Sequence, residues 1–183
     1  MHYAVKNMKQ VTFSIVVPLY NKENFICRSI DSILQQTYVD FELIIVNDGS
    51  TDRSMEELGK YDDPRIKVFN QENSGVSAAR NKGIELATNE WIAFIDADDL
   101  WLPEHLEEIA KLNKVYPEAA MLATTTIEQA SNVTLPFKES VDHNYEIRHI
   151  DYFLEASLNI SVIHTSNVAI KKIVLEDVGV FSN

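Results

Sequence analysis

Trp91-Ile92-Ala93-Phe94-Ile95-Asp96-Ala97-Asp98-Asp99 is the stretch on which the reading of the chain turns. Five uncharged residues, rich in aromatic and β-branched types, predict a buried strand. Three carboxylates follow at once, two of them in D-x-D spacing. In an open α/β sheet, aspartates at the C-terminal end of a strand point to a ligand crevice. Alternation along an extended chain would aim Asp96 and Asp98 the same way. Two converging carboxylates repel each other unless a cation or hydroxyl donors sit between them. Such oxygens suit a hard divalent ion, Mg²⁺ or Mn²⁺, with positions left open for phosphate oxygens. The competing reading is an acidic loop that caps a helix starting near Pro103.

Upstream, strand and helix patterns alternate. Phe13 to Leu19 is an apolar β-branched run, read as a parallel strand buried on both faces. A helix is expected from about Glu23 to Gln36, with Asn21 as its N-cap and Cys27 in its apolar face. Phe41 to Val46 predicts a second strand, followed by the turn residues Asn47-Asp48-Gly49-Ser50-Thr51-Asp52. A short helix with Met55 and Leu58 and a strand over Ile66 to Phe69 come next. Gly75 opens a helix through Ala87, whose small residues suit close packing on a sheet. Four alternations in the first hundred residues predict an α/β fold with a mostly parallel, doubly wound sheet.

Beyond Pro103 the pattern predicts a helix to Tyr116 and a strand from Ala119 to Thr124. A loop over Ser131 to Asn144, a helix over Asp151 to Leu158 and a strand over Ser166 to Ile170 follow. Lys171 to Val178 predicts a last helix, stopped by Gly179, with Lys171 and Lys172 at a solvated start.

Length and composition bound the function. The chain has 183 residues, 45% hydrophobic and 24% charged, which suits one globular domain. A net charge of -12 argues against nucleic-acid binding and against a polybasic membrane patch. Cys27 is the single cysteine, so there is no internal disulfide and no cysteine-rich zinc site. That fits a reducing compartment. No run reaches transmembrane length, and Met1 to Gln10 lacks the apolar core of a secretory signal. Neither G-x-G-x-x-G nor a P-loop is present.

Four stretches together resemble a known family. They are Val16 to Asn21, Ile45 to Asp52, Asn73 to Asn81 and Phe94 to Asp99, in the family's order and at similar intervals. They are similar to the inverting family 2 glycosyltransferases of bacterial polysaccharide synthesis, which have the GT-A, nucleotide-diphospho-sugar transferase fold. The resemblance is strong from Phe13 to Pro103 and resumes around Thr165 to Phe181. It implies a three-layer α/β/α domain over 1–183, with a nucleotide-binding half over 10–103 and a partial acceptor-side half over 104–183.

The same resemblance implies roles. Pro18, Leu19 and Tyr20 would lie along the nucleotide base, with Tyr20 as ordinary core the alternative. Asp48 would accept the uracil N–H, or cap the Ser50-Thr51 turn; Ser50 and Glu23 would lie near the same nucleotide. Arg80, on an otherwise apolar helix, needs an anion: the donor diphosphate, or Asp96 or Asp98. Asp96 would bond the ribose and Asp98 would bind the divalent metal, Mn²⁺ or Mg²⁺, through the diphosphate. Asp99 would support them or cap a helix, and His164 is read as structural rather than as a late metal ligand.

Implied partners are a nucleotide-sugar donor, a UDP-sugar, and a saccharide or lipid-linked saccharide acceptor. The implied location is the cytoplasm, with peripheral association at the inner face of the membrane left open. The family carries its general base shortly after a Gly-x-Phe segment, and no acidic pair follows Gly179-Val180-Phe181 here. The expectation is a base beyond Asn183, in a chain that is a fragment or that binds donor without efficient transfer. A non-catalytic nucleotide-sugar-binding module and a nucleotidyltransferase are the competing functions.

Overall fold

The computed structural model describes residues 10–124, 164–179 and 181. Six strands form one sheet: β1 (Phe13–Leu19), β2 (Phe41–Asp48), β3 (Ile66–Gln71), β4 (Trp91–Phe94), β5 (Met121–Ala123) and β6 (Val168–Lys171). Their order is β3-β2-β1-β4-β6-β5. β1 pairs in parallel with both β2 and β4, and β2 with β3. β6 runs antiparallel to β4 and β5, so the sheet is mostly parallel with one reversed strand. β1, β2 and β4 are buried at every position because helices cover both faces.

The helices are α1 (Ile26–Leu34), α2 (Ser54–Leu58), α3 (Val76–Leu86), α4 (His105–Val115) and α5 (Lys172–Val178). On one face α1, α2 and α4 bury Ile30, Leu58 and Ile109 against Ile15, Val17 and Ile45. On the other, α3 and α5 bury Ala79, Ile84 and Leu175 against Val16, Ile44 and Phe94. The result is the expected three-layer α/β/α arrangement. α1 and α2 lead outward to β2 and β3 on one face, whereas α3 returns across the other to bring β4 beside β1. That reversal opens a crevice at the carboxyl ends of β1 and β4.

Two contacts set the framework. A Cβ on Gly83 would stand 2.2 Å from Val16 Cγ1, so the missing side chain lets α3 lie directly on β1. At the far end of the strands, buried Glu42 accepts from the Ser14 hydroxyl at 2.5 Å and from Thr88 N and Oγ1 at 2.7 Å. Its second oxygen takes Lys67 Nζ at 2.7 Å. Burial alone would raise this carboxyl, but the bonds from Lys67, Ser14 and Thr88 outweigh it and hold the pKa down to about 2.

Several local expectations are corrected. α1 begins at Ile26, and Asn21 does not cap it; the cap position is Phe25, without a side-chain bond. Asn21 instead adopts a φ of 51°, tolerated by asparagine, and its Oδ1 accepts from Thr51 N at 2.8 Å and Asp52 N at 3.3 Å. Cys27 is half-buried between α1 and α2, its Sγ 3.3 Å from Glu57 Oε2, because the apolar stripe passes beside it. Lys171 and Lys172 do not form a solvated start: their ammonium groups bond Pro117 O and Ala87 O, each at 2.7 Å. The Lys172 contact is half-buried, whereas Lys171, the last residue of β6, makes its contact at the exposed surface. The loop over 131–144 and the helix over 151–158 lie outside the described residues.

Candidate functional site

A cavity of about 560 Å³ opens at the crevice. It is lined by Pro18 and Leu19 at the end of β1, by Asp48 at the end of β2 and by Ala79 on α3. Tyr20, Lys22 and Asp98 complete the rim. Tyr20 is 47% exposed, so it is not core; its ring is available to a ligand at the mouth.

Asp48 is 3% exposed at the back of the cavity. Its Oδ1 accepts from Gln71 Nε2 and from Ser74 N, both at 2.8 Å, and its Oδ2 from Gly75 N at 2.9 Å. The carboxylate therefore ties the loop before α3, not the Ser50-Thr51 turn. That turn is held by neutral amides: Ser50 N donates to Asn47 Oδ1 at 3.0 Å, and Thr51 N to Asn21 Oδ1. An ionised carboxyl has about four lone-pair sites, so Asp48 keeps capacity for one more donor.

β4 ends at Phe94, and the acidic stretch is a turn rather than a continued strand, with Asp99 N donating to Asp96 O at 3.0 Å. Asp96 and Asp98 both line the cavity through this turn, not through strand alternation. Neither caps α4, whose cap position is Glu104 and carries no side-chain bond. The turn is braced from behind: Asp96 N donates to Ser166 Oγ at 3.1 Å, and the Trp101 indole to Ser166 O at 2.5 Å.

Each carboxylate has its own cation. Arg80 Nη2 lies 2.7 Å from Asp96 Oδ1 and 3.2 Å from Thr165 Oγ1, with its guanidinium 5.4 Å from the Phe181 ring centroid. Lys22 Nζ lies 2.6 Å from Asp98 Oδ2. Asp96 and Asp98 are thereby each countered within the protein, which relieves the mutual repulsion expected of the pair.

The structure brings Pro18, Leu19, Tyr20, Asp48, Asp96 and Asp98 to one cavity, with Arg80 behind Asp96. Glu23 and Ser50 stand apart from the cavity lining. Glu23 Oε2 accepts from Arg53 N at 2.9 Å at the start of α2, and Ser50 Oγ accepts from Asn21 N at 3.1 Å. Beside them, Asp52 holds Glu23 N and Ser54; burial would raise its carboxyl, but these bonds hold it below the usual carboxylate range. Asp99 does not line the cavity, and His164 opens the short turn Thr165–Asn167, its N–H donating to Asn167 Oδ1 at 2.9 Å.

Sequence reasoning missed Lys22, Asn73 and Gly75, which also line the cavity. Lys22 had a signal, since it follows β1 by three residues, where ligands gather. Gly75 had one too: at a φ of 90° it sits where side-chain-bearing residues are strained.

Among the described residues, no group of three or more His, Cys, Asp or Glu side chains gathers to cage a metal. Asp98 offers one hard oxygen donor at the open side, its side chain 40% exposed. This set does not suit a resident structural metal. It suits Mg²⁺ or Mn²⁺ that completes its shell with phosphate oxygens and water.

Comparison with known proteins agrees with this architecture. The chain is 35% identical over 181 residues to an uncharacterized glycosyltransferase of Rickettsia typhi, covering 95% of this chain and 56% of that protein. It is 52% identical over 88 residues to the uncharacterized glycosyltransferase EpsJ of Bacillus subtilis, covering 47% and 26%. Among solved structures, TarS of S. aureus in complex with UDP superposes with a TM-score of 0.69 at 25% identity, covering 91% of this chain and 48% of that one. A mannosyltransferase of Pyrobaculum calidifontis, solved with GDP-Man and Mn²⁺, shares the fold with a TM-score of 0.67 at 22% identity, covering 93% and 47%. The chain thus spans about half or less of the length of these relatives. The sequence profile described as glycosyl transferase family 2 matches residues 14–179, and the chain belongs to that family.

Proposed function

We propose that this chain supplies the donor-binding half of a glycosyltransferase that moves a sugar from a UDP-sugar to an acceptor hydroxyl, with inversion. The observation that carries the reading is the convergence of Asp48, Asp96 and Asp98 on one cavity at the β1–β4 switch point. Residues 10–103 would hold the nucleotide: Asp48 takes the uracil N–H with its remaining acceptor site, and Tyr20 packs on the base at the mouth. Arg80 holds the Asp96 carboxylate in place, and Asp96 would bond the ribose. Asp98 would hold Mn²⁺ or Mg²⁺, which would neutralise charge on the departing diphosphate. The acceptor oxygen then attacks the anomeric carbon as the bond to UDP breaks, and its proton passes to a general base. Family membership supports the transferase class, and the UDP complex of TarS supports the uridine nucleotide.

Cell-surface polysaccharide assembly at the inner face of the membrane is the setting that fits this chemistry. Among the described residues no helix is long and apolar enough to cross a membrane. A second reading is a non-catalytic nucleotide-sugar-binding module. It draws on the cavity's carboxylates, Asp48, Asp96 and Asp98, which are all engaged by internal partners. The first reading therefore places the base outside the described residues. Calorimetry with UDP, with Mn²⁺ and after chelation, tests the proposal. Binding that requires the ion is expected; equal binding after chelation would remove the metal, and no binding would remove the uridine donor.

A further inference from the structure

We infer that Lys22 is the resident counter-ion of Asp98, and that it exchanges the carboxylate for the donor diphosphate when a divalent cation arrives. The inference rests on the donor reading above and adds a device that couples metal to nucleotide at the same site.

The two cations of the acidic turn differ in how firmly they are held. Arg80 has a side chain only 12% exposed and is fixed by Asp96, Thr165 and the face of Phe181. Its planar fork is pre-organised for a permanent pair. Lys22 has a side chain 36% exposed, and its carboxylate partner is 40% exposed. An ion pair that open to water is weak and readily exchanged. Asp98 is therefore the carboxylate that can be released, and Asp96 the one that stays paired.

Lys22 can let go of Asp98 without leaving the site. Its backbone N–H donates to Ser54 Oγ at 2.9 Å, so the root of the side chain is anchored to the start of α2. Asp98 is held from its other side, its carbonyl accepting from Arg28 Nη2 at 3.0 Å. The carboxylate thus stays in place while the flexible lysine stem swings. Both residues line the cavity. Once a dication takes Asp98, the ammonium is a free positive charge inside a cavity holding a diphosphate, and the two pair. Without the dication, Lys22 remains the one mobile cation at the rim of the described cavity and screens Asp98 from the anionic ligand.

The test measures the ratio of UDP affinities with Mn²⁺ and after chelation, in the wild type, Lys22→Met and Lys22→Arg. Methionine keeps the stem and removes the charge, and matched melting temperatures show that each variant folds. In Lys22→Met the ratio should fall about fivefold, the scale of a half-exposed ion pair, because the ammonium that Mn²⁺ frees in the wild type is no longer there to pair with the diphosphate. Lys22→Arg keeps the charge and should recover most of the ratio, short of wild type because its planar fork holds the carboxylate more firmly. Mn²⁺ alone, followed by its paramagnetic resonance, should bind Lys22→Met more tightly than wild type by a similar factor. An unchanged ratio, or equal loss with and without Mn²⁺, overturns the exchange and leaves an ordinary contact. Absence of UDP binding to the wild type under every condition would instead overturn the donor reading itself.

Discussion

Arg80 on α3 and Asp96 after β4 stand 2.7 Å apart, and this pair joins the returning helix to the acidic turn. It answers why a charged residue occupies a helix that packs on a sheet: its partner is the turn that faces the ligand. Arg80→Ala should leave Asp96 without its cation and lower stability by roughly 1–3 kcal/mol, less than a fully buried pair because Asp96 is 35% exposed. A double-mutant cycle with Asp96→Asn in urea checks it. Strict additivity would mean that the pair contributes nothing.

Gly83 and Val16 should respond as one contact. Gly83→Ala drives a methyl to within 2.2 Å of Val16 Cγ1, and overpacking of this kind costs about 1–3 kcal/mol. Val16→Ala in the same chain opens room for the new methyl. The double variant should therefore be more stable to urea than the sum of the single losses; additive losses would count against a direct clash.

Glu42 should give the chain a distinct acid limb. Its folded pKa, about 2, lies below the ordinary 4.5, so the unfolded chain binds the proton more readily. Its contribution is complete above pH 4.5 and is lost as the pH falls toward 2. Glu42→Gln should lower stability by roughly 1–3 kcal/mol at neutral pH, since a buried acceptor set is weakened. It should also flatten the melting-temperature profile across that acid window. A variant profile parallel to wild type would assign the acid loss to other groups.

Asp48 should separate nucleotide binding from folding by degree. Asp48→Asn keeps an acceptor for Ser74 N or Gly75 N but loses the charge. UDP affinity should fall about tenfold or more, the scale of a charged hydrogen bond, while the melting temperature falls by only a few degrees. Loss of folding without loss of affinity per folded molecule would make Asp48 a loop anchor alone.

Much of this was legible in the chain because burial on both faces imposes a continuous apolar pattern. β1, β2 and β4 carry such runs; Asp48 ends β2, and Asp96 and Asp98 lie in the turn that follows β4. The direction of β6 was not legible, since Val168-Ala169-Ile170 signals burial but not whether the strand runs with or against β4. Pairing across distance was equally hidden. Lys22 and Asp98 are 76 residues apart, and only the neighbouring of β1 and β4 brings them together. Asn21 misled for a related reason: asparagine suits both a helix cap and a left-handed turn, and the choice depended on the amides of Thr51 and Asp52 from another loop.

The central claim is that the β1–β4 crevice holds a uridine diphosphate, with the base at Asp48 and the diphosphate at Asp98. A crystal structure of the chain with UDP and Mn²⁺ tests it most directly. The account predicts the uracil ring N–H within hydrogen-bond distance of an Asp48 oxygen, and Mn²⁺ bridging the Asp98 carboxylate and the diphosphate. UDP bound outside this cavity, or seated in it with Mn²⁺ away from Asp98, would contradict the account.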